Sequence, residues 1–75
     1  NSVRRKKLSM ILRSLLSIID ELDMVLEEEK CALDNIPESL TGCDIYAKIE
    51  CVIDSLDDAL DNLCSARDSI EDAGN

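Results

Sequence analysis

Histidine, tryptophan and phenylalanine are absent from this sequence, and Tyr46 is its only aromatic residue. Without histidine there is no imidazole to activate a hydroxyl or thiol and none to complete a zinc site. The 75 residues include two glycines and one proline, so there is no glycine-rich phosphate loop and breaks in the backbone are few. No apolar run approaches the roughly 20 residues that span a bilayer. Cysteine is present four times, as Cys31, Cys43, Cys51 and Cys64, but no two stand at CxxC spacing. No secretory pattern accompanies them, so free thiols in a reducing cytoplasm are expected. Cys31 and Cys43 flank the chain's one break and are the pair that oxidation would join.

Basic residues become scarce after the start of the chain. Arg4, Arg5, Lys6, Lys7 and Arg13 account for five of the eight, leaving three against 17 acidic groups and a net charge of −9. A body this acidic is expected to repel nucleic acid and anionic membranes. The basic head admits two readings: a phosphate contact, or a neutralising neighbour for acidic residues elsewhere in the fold.

What the sequence does contain is helical periodicity. From Leu8 to Leu33, apolar residues recur at i, i+3, i+4 and i+7; with Leu8 as heptad position a they fill a, d and e. Strand alternation fails throughout, and the pattern predicts a helix over residues 3–34. Pro37 lacks an amide hydrogen and drives Ile36 from the α region, so residues 35–41 are expected to form a loop. In it Ile36 and Leu40 should cover the end of the core. Thr41 is expected to cap a second helix over residues 42–73, with Asp44 in its first turn, and Gly74 and Asn75 suit its stop.

The second helix repeats a seven-residue unit three times: Ile53–Ala59, Leu60–Ala66 and Arg67–Ala73. With Ile49 as a, Ile49, Leu56, Leu63 and Ile70 occupy a; Val52, Ala59, Ala66 and Ala73 occupy d; Ile53 and Leu60 occupy e. A strict period of seven favours supercoiling against a partner helix. The d alanines are expected to let the first helix approach closely. Two helices of similar length joined by a short break fold back antiparallel. That geometry sets Arg4, Arg5, Lys6 and Lys7 beside Asp68, Glu71 and Asp72.

The expected architecture is therefore one all-α domain over residues 1–75, a coiled-coil-like antiparallel two-helix hairpin. Its seam would be Leu15, Ile19, Leu22, Leu26, Ile49, Leu56, Leu60 and Leu63. So short a chain buries little surface alone, and the apolar stripes are wider than one neighbour requires. Met10, Leu16 and Met24 lie outside the main stripe and suggest a second contact face. A homodimer forming an antiparallel four-helix bundle is expected.

Catalysis finds no support. Asp54, Asp57, Asp58 and Asp61 cluster on the polar face of the second helix, where solvated carboxylates are ordinary, and Cys51 and Cys64 fall at peripheral c and b positions without a base. No catalytic, metal or cofactor residue is expected.

The stretch Leu26 to Cys43 (LEEEKCALDNIPESLTGC), followed by Tyr46-Ala47-Lys48 and by Val52 to Ala59 (VIDSLDDA), resembles small helical proteins of Gram-positive bacteria and their phages or prophages. Those carry an acidic helix end, a D-N-I/M-P-E-S/N-L-Q segment and repeated I-D-S/N-L-E-x-A units. The likeness runs over roughly residues 4–73, with Asn35 to Leu40 its most specific part. The four cysteines stand where the similar proteins carry polar or charged residues. The resemblance implies a cytoplasmic bacterial or phage origin and a helical fold rather than an activity. The function expected is a non-catalytic protein–protein interaction and self-association module. The alternative is an acidic mimic of DNA, its row Asp54, Asp57, Asp58, Asp61, Asp68 and Asp72 blocking a host nucleic-acid-binding protein. A third reading makes the basic head a nucleic-acid contact on a dimeric bundle.

Overall fold

In the computed structural model, which describes residues 1–74, two long helices fold back on one another. They are α1 (Ser2–Asp34) and α2 (Asp44–Gly74), joined through a short 3₁₀ turn at Glu38–Leu40. No strand occurs among the described residues.

Local chemistry sets each boundary. The Asn1 carboxamide oxygen accepts from the Arg4 amide at 3.0 Å, and its carbonyl accepts from Arg5 at 3.0 Å. The side-chain bond satisfies one of the amides that a helix start leaves without partners, and the carbonyl accepts the first regular bond of the helix. α1 closes at Asn35, whose amide donates to the Cys31 carbonyl at 3.0 Å. Pro37, at φ −56° and ψ 142°, then takes the chain out of helical geometry.

The connection departs from expectation at Thr41. Its hydroxyl donates to the Glu38 carbonyl at 2.9 Å, the same oxygen that accepts the Thr41 amide at 3.3 Å. Thr41 thus closes the 3₁₀ turn rather than capping α2. The helix starts at Asp44, with the Cys43 carbonyl accepting from Tyr46 at 3.1 Å and Ala47 at 3.4 Å. Of the two apolar loop residues, Ile36 is half-buried, while Leu40 stands 46% exposed and does not cover the core. Gly74 is the last helical residue; Asn75, the other half of the expected stop, lies outside the described residues.

The seam between the helices is made by two of the three apolar columns. On α1 the residues turned inward are Leu8, Leu15 and Leu22 at a, with Leu12, Ile19, Leu26 and Leu33 at e. On α2 they are Ile49, Leu56, Leu63 and Ile70 at a, with Tyr46, Ile53 and Leu60 at e. Alternating steps of three and four keep these columns facing one partner along the whole length.

The result is long and thin, 60 × 15 × 13 Å, with a radius of gyration of 17.2 Å. A compact chain of this length would have about 11 Å. Among the described residues only Ile19 and Leu26 are buried, because two rods touch along a line and leave each side chain a free edge.

Candidate functional site

The third apolar column, d, does not enter the seam. Ile11, Ile18 and Val25 on α1, and Ile45 and Val52 on α2, are 43–58% exposed. Ala32, Ala66 and Ala73 are exposed as well, and Ala59 is half-buried. The alanines therefore do not bring α2 onto α1, contrary to expectation. The a and e columns already fill the seam with Leu, Ile and Tyr, and d is turned about a quarter of a circle away.

Antiparallel pairing puts like columns on one side, so the d columns of both helices border the same flank. Met10, Ile11, Ser14, Leu15 and Ile18 of α1 share a shallow groove of about 490 Å³ with Ala66 and Ile70 of α2. On the outer side of α2, Asp44, Ala47, Lys48, Cys51 and Val52 line a separate groove of about 510 Å³ that α1 does not enter. Apart from Arg4, no charged residue stands at d on either helix.

The opposite flank, column b, is built differently. It reads Ser9, Leu16, Asp23 and Lys30 on α1, then Glu50, Asp57, Cys64 and Glu71 on α2. Its groove, about 340 Å³, includes Ser9 and Glu71 beside Leu8, Leu12, Ile70 and Gly74. One flank is greasy and the other wet.

Of the eight residues expected to form the apolar core, Ile19 and Leu26 are buried and Leu15, Leu22, Ile49, Leu56, Leu60 and Leu63 half-buried. Of the proposed second face, Met10 and Met24 are exposed at c on the outer side of α1, and Met10 also lines the groove of the d flank. Leu16 is exposed at b. The d column was the signal for this flank, but sequence periodicity assigned it to the seam.

Two charged features resolve as well. Arg67 occupies an e position in α2; its Nε donates to Asp68 Oδ1 at 3.2 Å and its Nη2 lies 3.1 Å from the same oxygen. That hydrogen bond, with the adjacent negative charge, raises the guanidinium above its ordinary pKa. The side chain as a whole is half-buried.

The basic head makes no such pair. Among the described residues, the ion pairs are Arg67–Asp68 and Lys30–Glu27, the latter at 3.6 Å. Arg4, Arg5, Lys6 and Lys7 are thus unpaired with Asp68, Glu71 or Asp72. Gly74 lies alongside Leu8, so the head occupies the turn of α1 beyond the described end of α2. Asp54, Asp57, Asp58 and Asp61 are exposed at f, b, c and f. The four thiols are free, with Cys64 half-buried and the others exposed. Among the described residues no helix is long and apolar enough to cross a membrane.

Comparison with known protein families, curated proteins and solved structures finds no match to this chain.

Proposed function

We propose that this chain is a non-catalytic self-association module, and that its working surface is the d flank. Two hairpins stacked flank to flank make an antiparallel four-helix bundle. The observation that carries this reading is the lopsided distribution of apolar side chains: both helices turn their surplus Ile, Val and Ala to one side, while the other is polar.

Surface area supports it. A compact monomer of 8.3 kDa would expose about 4,600 Å², whereas this hairpin exposes 5685 Å². The excess is larger than the roughly 800 Å² that each partner contributes to a standard interface. A face as long and wide as the molecule, 60 by 15 Å, has a footprint of roughly 900 Å², enough to meet that requirement.

Sedimentation velocity at micromolar concentration tests the proposal. The natural chain is expected to run as a dimer. Ala66→Glu, which puts a carboxylate into the apolar groove, is expected to give a helical monomer; Leu16→Glu on the polar flank should leave the dimer intact. A monomeric natural chain refutes the reading.

The second reading, DNA mimicry toward a host nucleic-acid-binding protein, draws on the exposed row Asp54, Asp57, Asp58 and Asp61. Its mark is capture of such a protein at low salt and release at high salt. The basic-head reading draws on the exposed Arg4–Lys7 turn, and nucleic-acid binding that survives their replacement removes it. Residence in the cytoplasm of a bacterial host rests on the sequence resemblance and on the reading of the four cysteines as free thiols.

A further inference from the structure

Building on that self-association reading, we infer that the second copy lies with its loop at the opposite end, so that α1 stacks on α1 and α2 on α2 about a twofold axis across the helices.

Charge divides the hairpin lengthwise. The open end, residues 1–18 and 60–74, has six basic and four acidic groups, a net +2. The loop end, residues 19–59, has two basic and thirteen acidic groups, a net −11. Stacking the copies with loops together sets −11 against −11 inside a few ångströms of apolar contact. Reversing one copy lays +2 over −11 at both ends, which is the complementary arrangement.

The column bordering the apolar flank, g, carries the same message in detail. On α1 it reads Lys7, Ser14, Glu21 and Glu28. Reversed upon itself near Ile18, it brings Lys7 of one copy opposite Glu28 of the other, twice in a symmetric dimer. On α2 the g column is Lys48, Ser55, Asn62 and Ser69, and every carboxylate of that helix stands at b, c or f. Two α2 helices can therefore meet without a like-charge contact. Their d residues shrink along the chain, from Ile45 and Val52 to alanine. Reversal seats Val52 of one copy over Ala73 of the other and leaves Ala59 against Ala66, where the backbones can come close.

The test places a single spin label in the loop, at Ser39→Cys, in a chain whose native cysteines are replaced by serine. Pulsed dipolar spectroscopy of the dimer should read a separation near the 60 Å length of the molecule. Loops at the same end would read about 20 Å, two helix diameters, and that overturns the arrangement while leaving self-association standing. A monomeric mass removes both. Should the serine replacements unfold the chain, zero-length carbodiimide cross-linking of mixed light and heavy natural chains serves instead. Intermolecular links from Lys6 or Lys7 to Glu27, Glu28 or Glu29 are expected. Intermolecular links from these lysines to Glu71 or Asp72 in their place overturn the inference.

Discussion

Ile18→Gln separates the flank from the seam. Ile18 is 50% exposed in the hairpin and touches the groove shared with Ala66, so its free half is what a partner would cover. Full burial of an isoleucine contributes about 1.5–3 kcal/mol, so the uncovered half is worth about 0.8–1.5 kcal/mol per copy. A twofold dimer loses it twice, about 1.5–3 kcal/mol. That weakens the dimer dissociation constant by roughly 10- to 150-fold. Glutamine is a good helix former, so the helix itself should not suffer. Sedimentation equilibrium over a concentration series gives the constant, and far-UV circular dichroism gives the helix content. An unchanged dissociation constant would refute the reasoning, and a collapse of helix content would show that Ile18 supports the hairpin itself.

Three further outcomes are expected. Leu26→Ala removes the most deeply buried side chain, 3% exposed, at a cost of about 2–5 kcal/mol; a chain of this size should lose most of its cooperative melting transition. Asp68→Asn should leave the melting midpoint within error, because the Arg67 pair sits in solvent. The raised guanidinium pKa keeps Arg67 protonated from neutral to alkaline pH, so any contribution from the pair is already present there and should not vary over that range in a stability titration. Titration with a coloured thiol reagent should show Cys31, Cys43 and Cys51 reacting first and Cys64 more slowly, following their exposure; four equal rates would contradict the half-buried placement of Cys64.

The sequence was most legible where physics is local. Seven-residue repetition and the lone Pro37 define two helices and their break, since a helix period and a missing amide act over a few residues. The boundary that moved furthest is the start of α2. Thr41 suits a cap by residue type, yet it closes the 3₁₀ turn, its hydroxyl donating to the Glu38 carbonyl, and α2 starts three residues later at Asp44.

The apolar columns mark the limit of that legibility. Composition and period established that a, d and e are greasy on both helices, and hence that more surface is apolar than one neighbour covers. Which two columns meet was decided by tertiary structure alone. A hairpin seam accepts only about two columns, and it took a and e, where both helices carry large side chains, turning Ile11, Ile18, Val25, Ala66 and Ala73 outward together. The basic head followed the same logic: its charge is plain in the sequence, but its place beyond the described end of α2 depends on how far one rod slides along the other. Sliding and rotation are collective properties of two packed surfaces, and no single residue encodes them.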